Sequence, residues 1–273
     1  MFRRRTLVAG LLLPLALLVI YLGGFIYALV MSALLVITGL EMIRLLRSTD
    51  LNPTPLASLA GILIISQTRY FLGFEHAHLL ISLIILVIVT IHTLEYEWGE
   101  DGTSRDLGAS LGVIFYVGWL GSYLISLRSL PQGMWWTYLI LPTAWLSDSA
   151  AYLVGSQIGR RQFTSRVSPN KTWEGYLGGI LIGALGTGGV LLLLNRVLGS
   201  KLPISFPQAV ILGLVISAVI PLGDLAESMI KRCAGKKDSG KLFPGHGGMF
   251  DRMDTLLWTA TTGYYLLVYL ILP

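Results

Sequence analysis

Charge is scarce in this chain. Only 13% of its 273 residues are Asp, Glu, Lys or Arg, 54% are hydrophobic, and mean hydropathy is +0.71. Soluble domains carry about 25% charged residues. No stretch outside the apolar blocks is long enough to bury a core of its own, which excludes a soluble globular domain. Cysteine is nearly absent: Cys233 stands alone. An intramolecular disulfide and a cysteine-held metal cluster are thereby excluded, and Cys233 reads as a small space-filling residue. Repeats and low-complexity tracts are missing. The net charge of +5 is modest; in a membrane protein it reflects orientation and anionic headgroups, not nucleic acid.

What is present is a series of apolar runs, each near the ~20 residues that cross a bilayer as a helix. The expected fold is an all-α polytopic integral membrane protein. About nine transmembrane helices are predicted, near 7–22, 25–43, 54–68, 77–94, 108–126, 134–155, 173–198, 206–231 and 255–272. The third is the shortest. The pair Gly23-Gly24 is the only break between the first two. Met1-Phe-Arg-Arg-Arg5 ahead of an apolar run imitates a signal peptide, but a second apolar block follows at once, so it reads as a retained helix. The acidic loop 95–106 reads as a solvated turn. Residues 1–140, about five helices, read as an almost featureless scaffold. Residues 141–273, about four helices, hold nearly all the unusual polar residues.

Ionisable groups inside spans are costly and usually face a functional cavity. Asp148 sits in Trp145-Leu-Ser-Asp148; Asp224 and Glu227 follow Pro221-Leu-Gly223; Asp251 and Asp254 open the last helix. Helical spacing puts Asp224, Ser228 and Lys231 on one face, and Asp251 and Asp254 on another. Between them lies a loop with further cations and Gly245-His-Gly-Gly248. Phosphoryl or nucleotidyl transfer needs this assortment. A hard divalent cation takes carboxylate oxygens plus substrate phosphates, spread negative charge takes lysine and arginine, and glycine lets backbone amides approach phosphate. A second polar loop, Ser168-Pro-Asn-Lys-Thr-Trp-Glu-Gly175, precedes the seventh helix. Asn170 or Thr172 would cap that helix, and an anion would sit at its N-terminus beside Lys171.

Ser228-Met-Ile-Lys-Arg232, then Lys237-Asp238, Phe243-Pro-Gly-His-Gly-Gly248 and Asp251-Arg-Met-Asp254 together resemble the signature of the phosphatidate cytidylyltransferases, the CDP-diacylglycerol synthases. The likeness covers all 27 residues of 228–254 and extends to the Asp148 and 168–175 regions. It implies transfer of CMP from CTP to phosphatidic acid, giving CDP-diacylglycerol and pyrophosphate early in phospholipid synthesis. Mg²⁺ is required, and there is room for a second cation and for a homodimer. On that resemblance Asp224 and Asp251 lead as metal ligands, with Asp254 and Asp148 behind them. Lys231, Arg232, Lys237 and Arg252 would neutralise phosphates, and His246 would donate to the leaving pyrophosphate. Asp238 would bind metal or orient a cation. Asn170, Lys171, Ser228, Gly247 and Gly248 would contact substrate. Two rivals stay open: a CTP-dependent lipid or polyprenol kinase, and a transporter of an anionic solute.

Alternating the predicted spans puts sixteen of the twenty Lys and Arg residues on one side and four on the other. Basic loops stay cytoplasmic. The N-terminus is therefore expected inside, the C-terminus outside, and the polar loops at the cytoplasmic face of the inner membrane. Reporter fusions at both termini test this: an N-terminal fusion should report as cytoplasmic and a C-terminal one as external. A cytoplasmic C-terminal reporter overturns the topology.

Overall fold

The computed structural model describes residues 13–240, 242 and 247–272, so His246 lies outside the described residues. Among the described residues are nine helices and no sheet. They are α1 (Leu13–Leu22), α2 (Gly24–Leu46), α3 (Pro55–Leu72), α4 (Ala77–Glu97), α5 (Thr103–Ser129), α6 (Gly133–Ile158), α7 (Trp173–Arg196), α8 (Phe206–Cys233) and α9 (Phe250–Leu266). Five of them, α2, α4, α5, α7 and α8, are long and apolar enough to cross a membrane. Gly23 and Gly24 both take positive φ, 59° and 54°, which is why glycine breaks the chain between α1 and α2. Pro55 opens α3 at a position where its missing N–H costs nothing.

The outer faces show what surrounds the protein. α4 buries only Ile84, Ile88 and His92, a single stripe of four-residue spacing. Leu79, Leu83, Leu86 and Val87 on the same helix are each half exposed or more. Apolar surface of that extent needs hydrocarbon against it. Tyr96 and Trp98 stand out at the helix end, as aromatic residues do at a membrane interface.

The chain divides into two compact units, Met1–Ser126 with Ile230–Met253, and Leu127–Met229 with Asp254–Pro273. In the first, α2, α3 and α5 approach closely through glycines. A Cβ on Gly118 would lie 3.0 Å from the Ile62 backbone, and one on Gly61 would lie 3.1 Å from Ile114. Gly118 belongs to a π-helical segment, Ile114–Trp119, inside α5. Arg69 is buried in this unit. Its guanidinium lies 3.4 Å from the Phe74 ring centre and 4.4 Å from that of Trp119, and its Nε donates to Ser122. Aromatic faces thus take the place of water around the cation.

The acidic loop departs from the solvated turn expected of it. Glu95 is 2.7 Å from Nδ1 of the buried His92 and accepts from the Thr54 hydroxyl. His92 Nε2 lies 2.9 Å from Ser110 Oγ, which accepts from the Thr54 N–H, and Asp106 accepts from the Asn52 N–H. Two of the five acids therefore bind the α2–α3 connection to the ends of α4 and α5. The backbone donors of residues 52–54 need acceptors once covered.

In the second unit, α6 and α7 meet along small residues. Gly175, Gly179 and Gly183 recur every four residues on α7. A Cβ on Gly179 would sit 3.0 Å from both Ala151 Cβ and the Ser147 carbonyl, and Thr143 and Thr187 hydroxyls meet at 2.8 Å. Close backbone approach through small residues is how helices associate where no water drives them together. Gly179→Val should force α6 and α7 apart, at a cost of about 1–3 kcal/mol. Thermal unfolding in detergent should show a lower midpoint. Gly189→Ala, which meets open space, should leave the midpoint unchanged or slightly raised.

Candidate functional site

The loop between α6 and α7 is built to hold Lys171. Its two arms pair, with Phe163 N–H donating to the Lys171 carbonyl at 2.7 Å and Trp173 N–H to the Arg161 carbonyl at 2.9 Å. Phe163 packs edge-on against Trp173. Thr172, not Asn170, caps α7, its hydroxyl accepting from the Gly175 N–H at 3.1 Å. Glu174 accepts from the Arg160 and Arg161 amides. Asn170 is left exposed. Lys171 Nζ ends 2.5 Å from Asp224 Oδ2.

Asp224 sits where α8 is irregular. Pro221 lacks the N–H that would meet the Ser217 carbonyl, and the Tyr176 hydroxyl of α7 donates to the neighbouring Ala218 carbonyl at 3.0 Å. Two residues on, Gly223 permits tight packing: a Cβ there would lie 2.6 Å from the Asp254 carbonyl and from Trp258. That approach brings Asp224, Glu227 and Asp254 together, one carboxylate oxygen from each lying within 4.8 Å of the others. Ser228 donates to Asp224 at 3.1 Å. Asp148 on α6 is half-buried and within electrostatic reach of both Asp224 and Lys171. Carboxylates 4.8 Å apart repel by about 3 kcal/mol per pair at an effective dielectric near 20. Lys171 answers part of that charge. An all-oxygen donor set of this kind suits a hard divalent cation.

The first unit holds a second polar cluster. Lys231 Nζ donates to Asp251 Oδ1 at 2.6 Å. Asp251 Oδ2 accepts from the Ser239 N–H, the Ser239 hydroxyl and the Gly248 N–H, at 2.9, 2.8 and 2.8 Å. Asp251 is thus held by four protein donors, while Asp254, three residues on, joins Asp224. Gly248 has its amide committed to Asp251, and a Cβ there would collide with Glu41. Gly247 takes φ 79°. Arg232, Lys237, Asp238 and Arg252 are exposed.

Two acids escape sequence reasoning. Glu227 stands out in the sequence as an ionisable residue in a span, yet its spacing assigns it no role. Glu41, 4% exposed on α2, accepts from the Phe250 N–H at 2.9 Å, and its Oε2 lies 2.8 Å from the Ser239 hydroxyl, whose one proton it shares with Asp251. A signal for Glu41 exists in principle: an acid inside an apolar run is expensive.

These features define a class, a helical membrane protein whose carboxylates and lysines are arranged to handle a cation and phosphate. The match to a family model described as the cytidylyltransferase family runs over residues 3–270. The phosphatidate cytidylyltransferase of Bacillus subtilis is 32% identical over 236 residues, covering 84% of this chain and 85% of its own. That of Pseudomonas aeruginosa is 34% identical over 272 residues, covering 94% and 93%. That of Thermotoga maritima is 31% identical over 234 residues, covering 85% and 84%. The chain belongs to the cytidylyltransferase family.

The carboxylate trio makes a prediction that needs no turnover. Glu227→Gln should weaken Mn²⁺ binding to the detergent-solubilised protein by about tenfold, the loss of one anionic ligand. Electron paramagnetic resonance titration reads it, and unchanged binding removes Glu227 from the cation site.

Proposed function

We propose that this chain is a CTP:phosphatidate cytidylyltransferase of the inner membrane, its site facing the cytoplasm. Its substrates are CTP and phosphatidic acid; its products are CDP-diacylglycerol and pyrophosphate. Likeness to relatives of that name over nearly the whole chain carries the reading. The nine-span topology with a cytoplasmic N-terminus belongs to the proposal, as do a scaffold in 1–140, the reacting residues in 141–273, and a homodimer.

A phosphate oxygen of phosphatidic acid attacks the α-phosphorus of CTP. A new P–O bond forms, the bond from the α-phosphorus to the bridging oxygen breaks, and pyrophosphate leaves with its electron pair. A phosphate monoester has a second pKa near ~6 and is largely dianionic at neutral pH. The nucleophile therefore needs no general base; it needs a partner held in line and relief from charge repulsion. Asp224, Glu227 and Asp254 would hold Mg²⁺, which would neutralise charge on the phosphates, and Asp148 would adjust the Asp224–Lys171 pair. Lys171 and Lys231, each fixed by a carboxylate, present cations to the phosphates. Arg232, Lys237 and Arg252 extend that positive surface. Gly247 and Asn170 are proposed to contact phosphate, Asp238 to orient a cation, and His246 to donate to pyrophosphate. Asp251, expected from the motif to lead with Asp224 as a metal ligand, is proposed to act by holding Lys231, the partner it has in the structure.

Labelled CTP separates this reading from its rivals. Lipid labelled from the α-phosphate, with pyrophosphate released in detergent without any gradient, is the expected result. Label arriving only from the γ-phosphate, with CDP released, means a kinase, and no CTP cleavage of either kind is the outcome the transport reading requires. In the same assay Asp251→Asn should lower turnover at least about 100-fold at saturating CTP, as loss of a positioning contact does, while the protein stays folded.

A further inference from the structure

Glu41 sits far from the signature in sequence, in a helix that reads as scaffold, yet it meets the signature at two points, Ser239 and Phe250. One of its oxygens, Oε2, accepts from the Ser239 hydroxyl on the loop's ascending side and from the Phe250 N–H at the start of α9. The Ser239 hydroxyl also lies 2.8 Å from Asp251 Oδ2, so the two carboxylates share its one proton and a single side chain links them. Two glycines are fitted to this arrangement. A Cβ on Gly240 or on Gly248 would run into the Glu41 carboxylate. Phe250, fully buried and packed against Tyr116, fixes the first turn of α9 from the other side. Nearby, Lys236 donates to Ser48 at 2.7 Å, tying the loop to the turn that follows α2.

We propose that Glu41 is a positioning residue for the transfer reaction. It clamps residues 239 and 250 so that the Ser239 and Gly248 amides converge on Asp251, which in turn aims Lys231. Its contribution is the fixed acceptor oxygen and not its charge, because both bonds go to the same atom. The inference rests on the reading of Asp251 and Lys231 as members of the reaction site. It goes beyond that reading by carrying part of the site's construction into α2.

The test is steady-state kinetics on the full-length protein in detergent, with thermal unfolding measured alongside. Glu41→Ala should lower kcat about 30- to 100-fold through misplacement, with KM for CTP within about threefold of wild type. Glu41→Gln keeps one acceptor oxygen and should recover kcat to within about fivefold of wild type. Ser239→Ala should lower kcat as well, and the double variant should be no worse than the poorer single, since both act through one contact. Wild-type kcat in Glu41→Ala overturns the proposal. So does a Glu41→Gln as damaged as Glu41→Ala, or single losses that multiply in the double variant. If Glu41→Ala does not fold, Ser239→Ala and Gly248→Ala carry the test, and wild-type kcat in both overturns it. Full turnover in Asp251→Asn, which leaves Glu41 untouched, would instead remove the underlying reading of Asp251.

Discussion

A carboxylate taken out of water must be given donors or cations in return, and the arrangement of the buried acids follows from that demand. Asp251 receives two backbone amides, a hydroxyl and a lysine. Glu41 receives an amide and shares that same hydroxyl. Glu95 receives a histidine and a threonine. The trio of Asp224, Glu227 and Asp254 differs in kind, because three acids have been brought to one place. A bound cation would relieve such repulsion, and this distinguishes the trio from the other buried acids.

Glycine sets the distances. Gly223 lets α8 reach Asp254, Gly179 and Gly183 bring α6 onto α7, and Gly248 admits Glu41. Each removes a side chain where two backbones, or a backbone and a carboxylate, must nearly touch. The 31 glycines of the sequence are thus not evenly explained by turns. Some are spacers that decide which charged groups meet, in an environment where packing and not hydrophobic exclusion holds helices together.

Much of this was legible in the sequence. Apolar runs of span length announced the helices, and α7 and α8 begin where the runs begin. The signature from Ser228 to Asp254 announced the chemistry through its residue types and spacing. What was not legible were the partners. Asp251 and Asp254 are three residues apart on one helical face, with Asp251 expected to lead as a ligand, yet it is Asp251 that is held by Lys231 and Ser239 and Asp254 that meets Asp224 and Glu227. Only the approach of helices distant in sequence decides that. Glu41's role was illegible for the same reason: a lone acid in an apolar run marks a costly position, but its partners are about 200 positions away. Glu95 and Asp106 looked solvated like the exposed acids between them because the groups they accept from, the Thr54 hydroxyl and the Asn52 N–H, belong to another connection.

The two lysine pairs bear on how catalysis is prepared. A free lysine carries about 2 kcal/mol of rotamer entropy, which a substrate phosphate would have to overcome on binding. Lys171 and Lys231 are already fixed by Asp224 and Asp251, so that ordering is complete before substrate arrives. Ion pairs of this kind add little stability in themselves. Their value lies in preorganisation, which in phosphoryl chemistry supplies most of the rate because the protein has little covalent work to do. On the proposed function, the carboxylates beside these lysines would be as much a part of the phosphate-binding apparatus as the cations they hold. Removing one would leave a lysine present but unaimed, a defect that appears in turnover before it appears in binding.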